Sequence, residues 1–415
     1  MFARSRPGAR GDVTDDASVV RARAAQVLEA GMWLKSSTVE ERARWLKEAA
    51  SALTQDAHDR RDALSASTGL SVPMIGWATR TTLATIDEDA MLALSHDVRT
   101  EFGPSPEPIA MLSVVLAGNV FTASMRGIIV PLLFGVPVLV KASSRETMFP
   151  SMLCDALRSA HPRFGAAMSL VAFPRGDTEC ETALVELAEA VSIYGSDETV
   201  SAVSSRAGDT SVIAHGHGVS VAYCSADAVD EARIVDTIAG LSLDICAYDQ
   251  RGCLSPQIVY LEQTPHRSTE DFADRLATEG LEAVSRTLPR GPLPAAVGAA
   301  QAQWRGLAEV EGTLRQGDTY AVAIREARPI RWSPAYRNVT VVPVRGLDEA
   351  LEAMQPIATN LKCVGADTAS LQRIGAMLSA SPTLHAYACA IGSMQTPPLD
   401  APADGHPIWR GLFRS

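Results

Sequence analysis

Several features that mark large protein classes are missing from this sequence. Its seven cysteines form no Cys-x-x-Cys pair and are not accompanied by paired histidines. Neither a zinc site nor a disulfide framework is therefore indicated. The longest uncharged apolar run, Gly127 to Val140, has 14 residues and contains two prolines, whereas a membrane-spanning helix needs about 20 residues. A basic surplus is also missing, because 48 acidic residues outnumber 37 lysines and arginines. We therefore expect no membrane span and no nucleic-acid partner.

The remaining composition is that of a folded protein. The chain has 415 residues, of which 47% are hydrophobic and 20% charged, and this length predicts two or three domains. The first residues include arginines but no apolar stretch of the kind found in a secretory signal. Free thiols together with the missing signal predict a cytoplasmic protein.

Short apolar runs alternate with helical segments in the first half of the chain. These runs are Met111–Leu116, Pro137–Lys141, Met168–Phe173, Val191–Tyr194 and Val219–Tyr223. Continuous apolar runs indicate strands that are buried on both faces of a parallel, doubly wound sheet. The alternation resumes after Ala226, which predicts a second α/β unit in which the Pro/Gly/Ala-rich stretch Pro289–Ala300 is a connection.

Cys253 has the least core-like surroundings of the seven cysteines. It lies in the polar segment Asp249–Gln257 beside Gly252, where the missing side chain would let a ligand approach the backbone. The cationic Arg251 would favour the nucleophilic thiolate. Cys253 is therefore either a catalytic nucleophile or an unreactive loop cysteine, and the other six, in apolar patterns, are predicted to be buried and inert.

Polar residues and glycines follow the predicted strands, where doubly wound sheets bind their ligands. Asn119 follows the first strand and is either an oxyanion donor or a turn residue. Lys141 ends the second strand, where it can reach a ribose hydroxyl or a phosphate, or stay in solvent. Gly195 and Ser196 either let a pyrophosphate approach a helix N-terminus or begin a helix with a serine cap. No dinucleotide-binding or P-loop glycine motif occurs at these turns.

Two histidines, His215 and His217, stand in a glycine-rich segment before the run Val219–Tyr223. A metal site is weakly indicated because no carboxylate or thiol is nearby in the sequence. A glycine-rich loop that enters a strand is the preferred interpretation. A hydrolase with a serine nucleophile is also weakly indicated, since no Gly-x-Ser-x-Gly motif is present.

Taken in order, these segments resemble the aldehyde dehydrogenase superfamily. More closely, they resemble the acyl-CoA reductases typified by the fatty-acid reductase of bacterial bioluminescence operons. The similar segments are Leu116–Val120, Val138–Ser144, Ile193–Ser196, His215–Ser220, Gln250–Gln257 and Leu361–Gly365. The Cys-x-Ser-Pro-Gln sequence that starts at Cys253 is the most specific of them, and the resemblance extends from about residue 35 to the C-terminus.

The resemblance implies an α/β protein with an aldehyde dehydrogenase-like fold, built from two doubly wound α/β domains and a small oligomerisation element. Residues 18–226, with part of 366–415, would form the nicotinamide cofactor domain and its N-terminal helices. Residues 227–365 would form the catalytic domain that carries the thiol. Residues 366–415 would hold the C-terminal return and the oligomerisation segment of a homo-oligomer, and residues 1–17 are predicted to be disordered.

The resemblance also implies a reaction. Cys253 would attack the thioester of an acyl-CoA or acyl-carrier protein, and NADPH, with NADH as the alternative, would reduce the acyl-enzyme to an aldehyde. Asn119 would stabilise the oxyanion. The residues expected to hold the cofactor are Lys141 and Ser143 at the adenosine ribose or its 2′-phosphate, Gly195 and Ser196 at the pyrophosphate, and Gly176 after the third strand.

One departure from the superfamily pattern favours reduction over hydrolysis. Relatives that oxidise aldehydes have a Glu-Leu-Gly-Gly-Lys segment, whose glutamate activates water. Here the corresponding stretch, Ala214–Gly218, contains no carboxylate, and hydrolysis needs a general base. Whether His215 or His217 handles protons is left open by the sequence. Two alternatives also remain: an acyl-phosphate reductase of the glutamyl-phosphate type, and a catalytically silent scaffold with this fold.

Overall fold

The computed structural model describes residues 14–123 and 125–414. The described chain begins with five helices, α1 Ala17–Leu34, α2 Val39–Asp59, α3 Arg61–Thr68, α4 Val72–Ala84 and α5 Glu88–Phe102. Asp16 caps α1 by accepting a hydrogen bond from Val19 N, and Asp15 N donates to Ala172 O over 2.8 Å. The prediction of disorder is therefore wrong for residues 14–17, and its remaining part, residues 1–13, lies outside the described residues.

A five-stranded parallel sheet follows, in the order β3-β2-β1-β4-β5. Its strands are β1 Leu112–Val115, β2 Val138–Lys141, β3 Met168–Val171, β4 Ala190–Tyr194 and β5 Ser211–His215. The helices between them are α6 Met125–Leu133, α7 Met148–Ala160, α8 Pro162–Gly165, α9 Thr178–Val185 and α10 Asp197–Ser204. Leu112 and Val114 pack into one core cluster, whereas Met111 and Val115 pack into another. Burial on both faces explains the continuous apolar runs.

A second, seven-stranded sheet has the order β12-β11-β6-β7-β10-β9-β8 and is parallel except between β8 and β9. Its strands are β6 Val219–Cys224, β7 Pro256–Glu262, β8 Thr313–Gln316, β9 Ala321–Ile324, β10 Asn338–Val344, β11 Leu361–Ala366 and β12 Tyr387–Ala390. Its helices are α11 Ile234–Cys246, α12 Thr269–Arg275, α13 Glu282–Thr287, α14 Ala295–Glu311, α15 Leu347–Met354 and α16 Thr368–Ala380.

The fold class is confirmed, but two details of the sequence prediction are wrong. The run Val219–Tyr223, predicted as the fifth strand before a boundary at residue 226, is β6 of the second sheet. The fifth strand of the first sheet is instead β5, an edge strand with exposed positions that lacks a buried apolar pattern. The predicted connection Pro289–Ala300 is also half helical, because its alanine-rich end begins α14, and alanine is the strongest helix former.

The C-terminal segment serves both sheets. Strand β12 pairs with β11 in the second sheet, so that sheet extends past the predicted boundary at residue 365. The chain then returns to the first sheet, where Ile109 N donates to Leu412 O over 3.0 Å. Residues 391–414 are called the C-terminal tail below. An oligomerisation role for this region stays a prediction.

A short connection joins β5 of the first sheet to β6 of the second. Only residues 216–218 join His215, at the carboxyl end of β5, to Val219, at the amino end of β6. The carboxyl edge of the first sheet therefore faces the amino edge of the second. Within the described part of the chain, every helix is too short or too polar to cross a membrane.

Candidate active site

The chain turns sharply just before Cys253. Tyr248, Asp249 and Gln250 have φ values of 51°, 54° and 57°, in the left-handed region that residues with a side chain rarely adopt. Such a conformation costs about 1–3 kcal/mol per residue and persists only where neighbouring structure holds it. This turn ends the α11 segment and leads into the loop that carries Cys253 before β7.

A buried ion pair holds the first part of the turn. Asp249 Oδ1 accepts a hydrogen bond from Arg337 Nη2 over 2.7 Å, and Asp249 Oδ2 accepts one from Gly291 N over 3.0 Å. Arg337 Nη2 also donates to Leu288 O, and Nη1 donates to Ser285 Oγ. Arg337 is 0% and Asp249 1% exposed, so neither charge can be compensated by solvent.

Neighbouring side chains hold the rest of the turn. Gln250 Nε2 donates to Pro256 O and Asn338 O, and Gln250 Oε1 accepts a hydrogen bond from Asn338 N over 2.9 Å. The Tyr248 hydroxyl is bonded to Thr122 Oγ1 over 2.7 Å. The turn is therefore tied to β10 on one side and to the segment before α6 on the other.

Cys253 follows this turn and is the exposed cysteine among the seven, all of which lie in the described residues. The prediction that the other six are buried is confirmed. Ser220 Oγ, on β6, donates to the Cys253 carbonyl over 2.7 Å. Although the residue as a whole is exposed, desolvation by the surrounding protein raises the pKa of the Cys253 thiol. Lys362 and Arg126 lower this pKa and Asp404 raises it, with a net increase. The resting side chain is therefore a thiol at neutral pH.

The role predicted for Arg251 is wrong. Its Nη1 donates to Thr68 O over 3.0 Å and its Nε to Tyr248 O over 3.2 Å, so the guanidinium supports the turn. The cations that act on the thiol are Lys362, at the start of β11, and Arg126, in α6. Arg126 Nη1 donates to two carbonyls of the C-terminal tail, Pro398 O and Ala401 O.

Asn119 lies beside the loop that carries Cys253, where the sequence analysis places an oxyanion donor. Its Nδ2 donates to Arg251 O over 2.9 Å, although the two residues are 132 positions apart. A side-chain amide carries two N–H groups, so a second one remains for another oxygen. The oxyanion role itself stays a prediction.

The predicted cofactor residues share the carboxyl edge of the first sheet, where the strand order reverses between β1 and β4, the usual place for a nucleotide. A Cβ on Gly118 would lie 2.3 Å from Ser143 Oγ, so a side chain at this position would force the Ser143 hydroxyl to move. Lys141 Nζ lies 5.3 Å from the centre of the Phe173 ring. Burial lowers the pKa of Lys141, and in the described chain no carboxylate lies within 4 Å of its ammonium. An unpaired, partly buried cation at this edge fits a ribose or phosphate.

Hydrogen bonds also fix the other predicted cofactor residues at this edge of the first sheet. Gly176 has φ of 84°, and its N–H donates to Glu181 Oε1 over 2.9 Å. Gly195 N donates to His215 O over 3.3 Å. Ser196 is the N-cap of α10, whose first turn contains two acidic residues. The helix-cap interpretation is therefore confirmed, and contacts of Gly176, Gly195 and Ser196 with a cofactor stay predictions.

The structure separates the two histidines. His215 Nδ1 lies 2.5 Å from Asp404 Oδ2, and its ring stacks on Tyr194 with centroids 4.2 Å apart. His217 is exposed, and its backbone contacts Asp197 and Asn360. His215 is therefore the histidine that the fold holds in a defined orientation.

Sequence reasoning missed four residues that are near enough to Cys253 to interact with it electrostatically, namely Arg126, Tyr194, Lys362 and Asp404. Lys362 carried a usable signal, because it is a single lysine in an otherwise apolar strand, as Lys141 is in β2. Asp404 carried none, since it stands in a proline-rich tail 189 residues from His215.

Comparisons with known proteins agree with this architecture. The family model of acyl-CoA reductase (LuxC) matches residues 86–406. No curated protein matches the sequence. Aldehyde dehydrogenase 21 from Physcomitrella patens, solved in complex with the reaction product succinate, is similar with a TM-score of 0.69 and 14% identity over 94% of this chain and 86% of that chain.

Two further solved structures are similar. GapN, a glyceraldehyde-3-phosphate dehydrogenase from Methanocaldococcus jannaschii complexed with NADP, has a TM-score of 0.65 and 14% identity over 92% of this chain and 87% of that chain. The putative aldehyde dehydrogenase PutA from Anabaena variabilis has a TM-score of 0.65 and 17% identity over 97% and 87%. At these identities the likeness shows the aldehyde dehydrogenase fold.

Replacing Arg337 tests the buried pair that holds the turn. Arg337→Met should lower the free energy of unfolding by about 3–5 kcal/mol, because it leaves Asp249 as a buried charge without its partner. The control is Arg345→Met, which breaks an exposed pair with Glu349 and should cost less than about 1 kcal/mol. Urea unfolding measures both values, and equal small losses would contradict the prediction.

Alkylation tests the accessibility and protonation of Cys253. Iodoacetamide should label Cys253 faster than the other six cysteines, because the others are buried and burial raises the pKa of Cys154 and Cys246, for example, to about 11. The rate at Cys253 should rise steeply from pH 7 to pH 10, because a raised thiol pKa leaves little thiolate at neutral pH. Peptide mass spectrometry follows the labelling, and a rate independent of pH would contradict the assignment.

Proposed function

Because the chain belongs to the acyl-CoA reductase (LuxC) family of aldehyde-forming oxidoreductases, we propose that it reduces an acyl thioester to an aldehyde through a thioester on Cys253. The substrate is an acyl-CoA or an acyl-carrier protein. The reductant is NADPH, with NADH as the alternative.

The observation that carries the proposal is the contact between Asn119 and the nucleophile loop. The hydrogen bond from Asn119 Nδ2 to Arg251 O joins the loop after β1 to the loop that carries the exposed cysteine. A thiolate at Cys253 would attack the acyl carbon, and the carbonyl oxygen would take the charge that an amide N–H stabilises. The bond from that carbon to the CoA sulfur then breaks, and the departing sulfur takes a proton.

The cofactor proposal rests on the carboxyl edge of the first sheet. Lys141 and Ser143 would contact the adenosine ribose or its 2′-phosphate, while Gly176, Gly195 and Ser196 would lie along the remainder. When bound, the reduced nicotinamide supplies the hydride that converts the acyl group to an aldehyde. The similar structure of GapN was solved with NADP, which supports a nicotinamide cofactor.

The environment of Asp404 favours reduction over hydrolysis. A carboxylate does lie near the thiol, since Asp404 affects the pKa of Cys253. Burial raises the pKa of Asp404, but His215 and Lys362 outweigh this effect and lower it to about 2. A carboxylate with so low a pKa is a poor general base near pH 7, so it does not replace the glutamate that activates water in aldehyde-oxidising relatives.

One observation supports an acyl phosphate as the second candidate substrate. The Arg126 guanidinium lowers the pKa of the Cys253 thiol. Among the described residues, no carboxylate lies within 4 Å of this guanidinium. Such a cation could accept a phosphate leaving group. A silent scaffold, by contrast, has no physical need for an exposed cysteine, an amide donor beside it and an unpaired lysine at the cofactor edge.

Turnover with both substrate classes tests the proposal. Butyryl-CoA or decanoyl-CoA with NADPH should give NADPH oxidation at 340 nm and stoichiometric aldehyde, whereas acetyl phosphate should give neither. Cys253→Ala should lower the rate by more than about 10³-fold, because it removes the nucleophile. The control Cys180→Ala alters a buried cysteine of α9 and should retain activity. Equal NADPH oxidation by parent and Cys253→Ala would refute the mechanism, and absence of turnover with either substrate class would favour the scaffold.

Replacing Lys141 tests the cofactor assignment. Lys141→Ala should raise KM for NADPH about tenfold or more, since a charged hydrogen bond contributes about 1.5–3 kcal/mol, and should leave KM for acyl-CoA within twofold. The control Lys47→Ala removes an exposed lysine of α2 paired with Asp87 and should change neither constant. An unchanged KM for NADPH would remove Lys141 from the site.

A further inference from the structure

The carboxylate of Asp404 joins three parts of the molecule at one point. Its Oδ2 lies 2.5 Å from His215 Nδ1, at the end of β5, and its Oδ1 forms an ion pair with Lys362 Nζ, at the start of β11. Asp404 itself belongs to the C-terminal tail. All three side chains are largely buried, with exposed fractions of 14%, 13% and 23% for His215, Lys362 and Asp404.

Strand pairing places this cluster beside the nucleophile. Strand β6 lies between β11 and β7, so the start of β11, with Lys362, and the Cys253 loop before β7 flank the start of β6. A Cβ on Gly218, just before β6, would lie 2.3 Å from the Lys362 stem, so glycine lets this lysine cross the strand end. On the other side, Ser220 Oγ donates to the Cys253 carbonyl.

The contacts of His215 define both its ring plane and its tautomer. The ring stacks on Tyr194 with an interplanar angle of 11°, which restricts rotation of the imidazole. An ionised carboxylate can only accept hydrogen bonds, so Nδ1 must carry a proton where it meets Asp404. The second ring nitrogen, Nε2, is then the atom that can accept a proton from a neighbouring group.

We propose that Asp404 is the positioning residue for acyl transfer to Cys253: it holds His215 with Nε2 as the proton acceptor and neutralises Lys362 in the same contact. This inference rests on the proposed function. The Cys253 proton passes to His215 Nε2 as the sulfur bonds to the acyl carbon. The bond between that carbon and the CoA sulfur breaks, and the proton on Nε2 passes to the CoA thiolate. The products are the Cys253 thioester and free CoA thiol, with no change in oxidation state.

A purely structural role for Asp404 makes a different prediction. In that case the carboxylate only fastens the C-terminal tail, and its loss lowers stability without a selective effect on proton transfer. Acyl transfer separates these roles because it needs no cofactor. The acyl adduct on Cys253 can be measured by rapid quenching and mass spectrometry, with NADPH absent.

The experiment mixes decanoyl-CoA with the full chain and compares four proteins. Asp404→Asn should slow adduct formation about 10²-fold, because a misoriented base loses most of the benefit of general-base catalysis. Asp404→Glu should recover part of the rate. Asp400→Asn, an exposed position of the same tail, should stay within twofold of the parent, and all four should bind NADPH with equal Kd. A rate for Asp404→Asn within twofold of the parent overturns the inference, and so does an equal fractional loss in Asp400→Asn.

Two further measurements keep the inference testable if a variant is unstable. In a double-mutant cycle, adding Asp404→Asn to His215→Gln should cause no further loss, because both changes remove the same proton acceptor; additive losses overturn the inference. In the parent protein, ¹⁵N NMR of labelled histidine at pH 9 should show the His215 proton on Nδ1, and a proton on Nε2 overturns it. Failure of the parent to form any adduct would instead reject the proposed function itself.

Discussion

The buried ion pair between Arg337 and Asp249 is the interaction on which the candidate site depends. The three residues before Arg251 adopt a backbone conformation that is unfavourable for residues with side chains, so the turn needs external support. The ion pair supplies it at a position where neither charge reaches solvent. The proposed nucleophile must be held within a fraction of an ångström to react efficiently, and for Cys253 that restraint comes from β10 and the residues before it.

The sequence contained enough information for the fold class and for part of the candidate site, including Cys253 and Asn119. Continuous apolar runs indicated the parallel strands, and polar residues after β1 and at the end of β2 indicated Asn119 and Lys141. The edge strand β5 was missed because it is not buried on both faces. The start of α14 was missed because prolines and a glycine directly precede its helix-forming sequence. Local patterns report burial and turn chemistry well, but they report edge position poorly.

Charged residues were harder to assign, because their effect depends on tertiary neighbours. Arg251 lies two positions before Cys253 in the sequence, yet its guanidinium donates hydrogen bonds to two backbone carbonyls. Lys362 and Arg126 act on the thiol from distant segments. No pattern around Asp404 distinguishes it from other carboxylates in a proline-rich tail, and only the return of the chain to the first sheet places it against His215.

The long sequence separations within the site have a consequence for how the protein folds. Asn119 and Arg251 are 132 residues apart, and His215 and Asp404 are 189 residues apart. Closing loops of this length is entropically costly, so such contacts form after local helices and strands. The first sheet can assemble from consecutive segments, whereas the constellation around the sulfur is complete only when the last segment has docked. Chains caught in late folding intermediates would therefore have a formed first sheet but an incomplete set of groups around Cys253.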